Sequence, residues 1–377
     1  MRPLYLRLSV TDRCNLRCVY CRPGAGDGAG RPTVPLDDDE LLALVDRVGR
    51  VASIGKLRLT GGEPLCRPGL PRLVERLRAL LPGAQLCLTT NGTLLTGARM
   101  EYLMEHGFHI GVSLDGARRA HDLFRRYPSG RSSHARVSKN LAAAVKRYPP
   151  LEVIAVVDPA SGDWIDESFE YIFDLGVRDL TFNMNYEGDW TDEACDTFEA
   201  AVERLGDAYL ARYRQGHDFT CNPIDAKIIT RLKEGYSCAD QCDFGCEEIA
   251  ISPTGQMYPC ERLVGMDDDP KVQIGDIWDG VDPKRRDALR NAKNVTPTQC
   301  IECVLNARCM YWCGCVNYAT TGRVDGVTGT LCWNEQLFIK TADRVASALY
   351  KEQNPVFLEK YYLSAGSALA RREAQST

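Results

Sequence analysis

The chain lacks any apolar run of roughly 18 residues, the length a membrane-spanning helix needs, so no membrane span is expected. Its first residues, MRPLYLRLSVTDRC, contain no apolar stretch leading to a small-residue cleavage site, so no secretory signal is expected. Neither sign of charge is in large excess. The 46 Lys and Arg stand against 51 Asp and Glu, a net charge of −5, without the basic footprint of a nucleic-acid or anionic-membrane partner. Internal repeats and low-complexity stretches are missing too. These absences point to a cytoplasmic protein with neither nucleic acid nor membrane as partner. The 377 residues, 44% hydrophobic and 26% charged, suit about two or three globular domains with a large core.

Cysteine, by contrast, is abundant. There are 17, an odd number, so a closed disulfide set is impossible. A reducing cytosol would not keep disulfides in any case. Three lie within residues 14–21, four within 238–260 and six within 300–332. Cytosolic cysteines clustered at short spacing read as ligands of metals or iron–sulfur clusters. Cys66, Cys87, Cys195, Cys221 and Cys315 read instead as small buried hydrophobes.

Strand patterns at residues 4–10, 56–60, 85–89, 109–114, 151–157 and 178–184 alternate with helical patterns at 36–52, 69–81, 97–107, 135–147, 163–175 and 192–214. Strand then helix, repeated six times, predicts an α/β fold with a parallel sheet and helices outside it. From about residue 216 the composition turns to Cys, Gly, Pro, Asn and Asp, as in a loop-rich region organised by ligands. A helical pattern returns near 335–362, and the tail from Ser364 is expected to fray. The expected division is 1–215, 216–335 and 336–377.

Cys14, Cys18 and Cys21 are spaced C-x3-C-x2-C directly after the first strand. Three thiolates on one loop can hold three irons of a [4Fe–4S] cube and leave the fourth open to a ligand. A zinc site with a distant fourth ligand is the alternative. This arrangement resembles the radical S-adenosylmethionine (SAM) superfamily over about residues 4–190. The stretch LRLSVTDRCNLRCVYCRP is especially similar to its molybdopterin-precursor cyclase branch. The resemblance implies a partial (β/α)6 barrel with its site at the C-terminal strand ends. It also implies reductive cleavage of SAM to a 5′-deoxyadenosyl radical that abstracts a substrate hydrogen.

Further residues fit that resemblance. Gly61-Gly62-Glu63-Pro64 follows the second strand; paired glycines let backbone approach a ligand, and Glu63 would accept from the SAM amino group. Asn91 ends the third strand, and Ser113 and Asp115 the fourth, where polar groups can bond a ribose or carboxylate; ordinary turns are the alternative. His121-Asp122-x-x-Arg125 resembles a segment of peptide-modifying members, in which Arg125 would pair with the SAM carboxylate. A solvated face with Arg118, Arg119 and Arg126 is the other reading. Asn183, Asn185 and Tyr186 sit at the sixth strand end, where substrate would enter. Trp312, Trp333 and Tyr318 are expected to pack the ligand-rich region.

Cys246-x13-Cys260 with Gly255 between, then Cys300-x2-Cys303-x5-Cys309-x3-Cys313 and Cys332, resemble the SPASM domain found behind many radical SAM barrels. That implies two auxiliary [4Fe–4S] clusters, three in all. The first would use Cys246, Cys260 and Cys313 with Cys242 or Cys238; the second Cys300, Cys303, Cys309 and Cys332. Two four-thiolate zinc sites are the alternative. A fully ligated cluster suits electron transfer, hence net two-electron oxidation. Glu261, next to Cys260, would be a catalytic base if burial raises its pKa; the rival reading is a surface carboxylate paired with Arg262.

The resemblance implies an enzyme that cross-links or dehydrogenates a ribosomally made peptide or a protein. It would be served by an electron donor such as flavodoxin or ferredoxin. The chain starts almost at the first strand, so a separate leader-peptide-binding protein or direct docking is expected. A formylglycine-forming sulfatase activator is the second reading, and a small-molecule (sugar) dehydrogenase or epimerase the third. A cyclase is disfavoured by the lack of a terminal Gly-Gly.

Overall fold

In the computed structural model, residues 3–21, 35–266 and 269–363 are described; the tail expected to fray lies outside them. The six expected strand–helix pairs are present. They run β1 (Leu4–Ser9), α1 (Asp38–Val51), β2 (Ile54–Thr60), α2 (Leu70–Leu80), β3 (Gln85–Thr90), α3 (Gly97–Glu105) and β4 (His109–Ser113). A short helix, α4 (Arg118–Phe124), not anticipated from the sequence, precedes α5 (His134–Arg147). Then come β5 (Glu152–Val157), α6 (Ile165–Asp174), β6 (Asp179–Met184) and α7 (Asp192–Arg214). Local chemistry sets these bounds. Asp37 caps α1 by accepting from Glu40 N, while the Glu40 carboxylate accepts from Asp37 N. Leu41, Leu44, Val45 and Val48 then form its buried stripe.

Strands β1 to β6 pair in parallel, in sequence order. Their outward side chains, such as Leu6, Leu8, Leu57, Leu59, Leu86 and Leu88, are fully buried in one core with the helices. The sheet does not stop at residue 216. Strand β7 (Thr220–Asn222) extends it beyond β6, and after α8 (Ile224–Leu232) strand β8 (Glu248–Ile251) pairs in parallel with the other side of β1. Antiparallel β9 (Gln256–Tyr258) and two two-residue strands prolong that edge. The outermost strands do not pair with each other, so the barrel is partial. Beyond it lie α9 (Pro283–Lys293), α10 (Gly314–Thr321) and α11 (Gly329–Lys351). Helix α11 runs through position 335/336 and packs on α7 and α8, so the last segment is continuous with the cysteine-rich one. Among the described residues no helix is long and apolar enough to cross a membrane.

Candidate active site

The cysteine loop leaves the C-terminal end of β1. It is held in part by backbone hydrogen bonds. Gly62 N donates to Thr11 O and Glu63 N to Arg13 O, each at 2.8 Å. A Cβ on Gly61, whose φ is +124°, would stand 2.2 Å from Thr11 O; one on Gly62 would stand 2.4 Å from Arg13 O. The paired glycines therefore admit the cysteine loop itself. Gly61→Ala is expected to displace that loop and lower bound iron and SAM affinity, checked by iron assay and equilibrium dialysis with SAM; unchanged values would refute this role.

Glu63 is buried, with burial pushing its carboxyl above the ordinary carboxylate range. It accepts from Thr90 Oγ1 at 2.7 Å, Asn91 N at 2.6 Å and Leu65 N at 3.1 Å. About one acceptor site of roughly four is left for an ammonium group. Its first task in the ligand-free chain is to pin this turn, which opens with Pro64, to the end of β3. Asn91 is also committed. Its Nδ2 donates to Asn15 Oδ1 at 2.8 Å and lies 3.8 Å from Cys14 Sγ, while its Oδ1 accepts from Thr93.

Asp115 and Arg125, both expected to meet SAM, form a buried ion pair with each other through Arg125 Nε at 2.8 Å. Tyr20 Oη donates to the same Asp115 oxygen at 2.5 Å, and Val156 N to the other at 2.9 Å. Arg125 also pairs with Cys18 across a two-residue antiparallel ladder. Its terminal nitrogens form no hydrogen bond with a described residue, and neither does the Ser113 hydroxyl at the end of β4. These groups stay available to an amino-acid carboxylate beside the cluster loop. Cys14 and Cys18 are half-buried and Cys21 is exposed; burial pushes the Cys18 thiol up to about 12. Three soft donors on one loop, with a free guanidinium edge beside them, fit a [4Fe–4S] cluster and SAM.

Below this ladder His121 is buried, with Nε2 2.9 Å from Ser133 Oγ. Burial pulls its pKa from 6.5 down to about 4. The unfolded chain therefore takes up the proton first as pH falls. Stability is complete above the unfolded value and is expected to decline through pH 6.5 to 4, by about 1.4 kcal/mol per unit at most. Urea unfolding at several pH values measures the slope, and its absence would remove His121 as the cause.

The inner face of the sheet is polar. Arg7 Cζ, Lys56 Nζ and Arg58 Cζ lie 4.5, 4.6 and 5.9 Å from the centre of the Tyr5 ring. Arg7 pairs with Glu248 and Glu261. Arg58 is buried, donates to Thr89 Oγ1 at 2.8 Å and has no carboxylate partner among the described residues; its Nε is unsatisfied, as is Tyr5 Oη. These cations were not singled out in the sequence. The signal was the alternation Tyr5, Arg7, Ser9 and Lys56, Arg58, Thr60, unexpected where parallel strands are buried on both faces. Glu261 belongs to this group: its side chain is 39% exposed and its partner is Arg7, not Arg262.

Asn185 Nδ2 donates at 2.8 Å to Asp158, which follows the neighbouring strand β5, and Tyr186 Oη accepts from Asn334 of α11 at 2.8 Å. Tyr186 thus ties the barrel to the C-terminal helix. Cys300, Cys303, Cys309 and Cys332 line one cavity of about 320 Å³. Cys242, Cys260 and Cys313 border a second core built on Phe244, Tyr258 and Leu263, which Cys315 enters. Cys246 N donates to Asp243 O at 2.7 Å, and Asp243 pairs with Arg290. Among the described residues no three side chains stand at single-ion distance. A cubane asks for one thiolate per iron, which spaces its ligands more widely.

A parallel partial barrel whose first strand end carries three thiols, backed by a thiol-rich second unit, defines a class of cluster-dependent enzyme. Residues 8–201 match the model of the Radical SAM superfamily, and the chain belongs to that superfamily. It is a radical SAM enzyme, and membership implies a [4Fe–4S] cluster and SAM. Among curated relatives, the GTP 3′,8-cyclase of Streptomyces coelicolor is 41% identical over 160 residues, 42% of this chain and 46% of that protein. That match thus spans less than half of the relative. The GTP 3′,8-cyclase of Xanthomonas axonopodis pv. citri is 32% identical over 277 residues, 69% of this chain and 80% of that protein. Among solved structures, native anSMEcpe with bound AdoMet superposes at a TM-score of 0.74 over 93% of this chain and 100% of that one, at 20% identity. Streptococcus suis SuiB bound to S-adenosylmethionine gives 0.60 over 88% and 77%, at 17% identity. At such identities the likeness is one of fold.

Proposed function

We propose that this chain oxidatively modifies a side chain of a ribosomally made peptide or a protein, by cross-linking or dehydrogenation. The observation that carries the reading is the cavity lined by Cys300, Cys303, Cys309 and Cys332, a donor set for a fully ligated auxiliary cluster. When bound, SAM and the clusters supply hydrogen abstraction and one-electron transfer. The chain supplies position: Arg125 and Ser113 orient the amino-acid end of SAM, Asp115 and Tyr20 hold Arg125, and the polar inner face receives the substrate. A low-potential donor such as flavodoxin or ferredoxin and a separate leader-peptide-binding protein complete this proposal.

The test is anaerobic. Reconstituted protein, SAM and a reductant are incubated with each short peptide encoded beside the gene, and the peptides are weighed. Loss of two hydrogens from one peptide, with 5′-deoxyadenosine formed, supports the reading. Formylglycine formation in a sulfatase peptide would move it to the activator.

A second reading has its own observation. Arg7, Lys56 and the buried Arg58, which has no carboxylate partner among the described residues, gather on one inner face, which suits a phosphate-bearing substrate. The two relatives above are named GTP 3′,8-cyclase. Consumption of GTP with 5′-deoxyadenosine formed, and its loss in Arg58→Met, would replace the peptide reading.

A further inference from the structure

Arg125 is held by more than its ion pair with Asp115. Ser133 stands at the cap position of α5, yet its hydroxyl makes no capping bond. It turns instead to Arg125 O at 2.6 Å, and since a carbonyl only accepts, the hydroxyl proton is committed there. Toward His121 Nε2, 2.9 Å away, the same oxygen then accepts, so Nε2 carries the ring proton. Asp115 N, also a donor, meets the other ring nitrogen, Nδ1, at 3.4 Å, so Nδ1 offers its lone pair. Both contacts require the same neutral tautomer. They form one directed chain, from Asp115 N through His121 and Ser133 to Arg125 O. The two residues of the ion pair are thus joined twice, once by their side chains at 2.8 Å and once through His121 and Ser133 at their backbones. His121 and Ser133 are both 0% exposed, so water cannot replace a bond that is lost.

We propose that His121 and Ser133 are positioning residues for SAM: they fix the backbone at Asp115 and Arg125 so that the guanidinium edge is presented to the SAM carboxylate. The proposal rests on the reading that Arg125 receives that carboxylate. A guanidinium and a carboxylate pair best through two parallel bonds, so a small shift of the Arg125 backbone weakens both together. A histidine that only filled the core, edge-on to the His134 ring at 5.6 Å, would act through stability alone.

Full-length, cluster-loaded protein is compared with Ser133→Ala, His121→Phe, His121→Gln, Arg125→Lys and the pair Ser133→Ala with Arg125→Lys. Iron content, SAM affinity by anaerobic equilibrium dialysis and the EPR change of the reduced protein on adding SAM are recorded. Ser133→Ala and His121→Phe should weaken SAM binding roughly tenfold, the scale of one buried hydrogen bond, with the iron of the parent and a smaller EPR response at equal SAM. His121→Gln, whose amide accepts and donates at once, should recover part of the loss. Added to Arg125→Lys, which keeps the charge but not the fork, Ser133→Ala should cost little more, because it acts through the guanidinium. Ser133→Ala removes one hydroxyl and keeps the test open even where His121→Phe does not fold. Affinity like the parent's in Ser133→Ala, with Arg125→Lys weakened, overturns the proposal. A fully additive loss in the pair overturns it too, and so does a fall in iron in Ser133→Ala, which would place the role in holding the cysteine loop. Unchanged SAM affinity in Arg125→Lys removes the reading of Arg125 itself, and the proposal with it.

Discussion

Replacing Cys14, Cys18 and Cys21 together with Ala is expected to abolish 5′-deoxyadenosine formation and lower bound iron from about twelve to about eight per chain. The effect should be all-or-none, because all three thiols of the loop go together and the next cysteine in sequence, Cys66 at the end of the Glu63 turn, is a single thiol. The loop's place, meanwhile, is fixed by backbone: Gly62 N to Thr11 O, Glu63 N to Arg13 O, and the ladder between Arg17–Cys18 and Arg125–Arg126. None of these bonds uses a thiol, so the variant should fold with its C-terminal thiols undisturbed. Iron and sulfide assays with chromatography of the SAM products decide it. Persistent 5′-deoxyadenosine would place SAM cleavage elsewhere, and a fall to no iron would mean that the auxiliary sites depend on the first.

The barrel was legible because each strand–helix unit carries its own signals. Asp37 and Glu40 announce α1, and Pro71, with Gly69 at the cap, opens α2. The three-cysteine loop was legible for the same reason: its spacing is local. What escaped was non-local. Strands β7 and β8 are three and four residues long in a Cys-, Gly- and Asp-rich stretch, and become strands only by pairing with β6 and β1. Arg7 and Glu261 are 254 positions apart, and their pairing depends on β8 bringing the second unit to the edge of β1. Arg262 looked the natural partner because it is adjacent; the fold pairs Glu261 with Arg7 instead. Likewise Asp115 and Arg125 were each legible as polar groups near a strand end, but not that they neutralise each other and leave only part of the guanidinium for a ligand.

The same non-local logic sets the largest expected loss of stability. Lys227 of α8 and Glu335 of α11 form an ion pair at 2.6 Å, with side chains 2% and 4% exposed. Glu335 Oε2 also accepts from Met310 N at 2.6 Å, and Lys227 Nζ donates to Arg308 O at 3.2 Å. Both backbone groups flank Cys309. Arg308 in turn grips Asp343 of α11 with two bonds of 2.8 and 2.9 Å. Glu335→Ala leaves a buried ammonium without its counter-charge and Met310 N without an acceptor. The expected cost is about 3–5 kcal/mol, a large share of a margin of roughly 5–15 kcal/mol. Lys227→Met combined with Glu335→Leu should recover most of it, since apolar residues of similar size remove both charges together. Urea unfolding of the three proteins measures this. If Glu335→Ala unfolds at the parent's midpoint, water reaches the pair and the burial argument fails. Because Arg308 and Met310 carry Cys309 between them, Glu335→Ala should also load less iron than the parent. The double variant, which restores packing but not the bond to Met310 N, should regain stability ahead of iron. That difference separates the role of the pair in holding α8 against α11 from its role in placing a thiol.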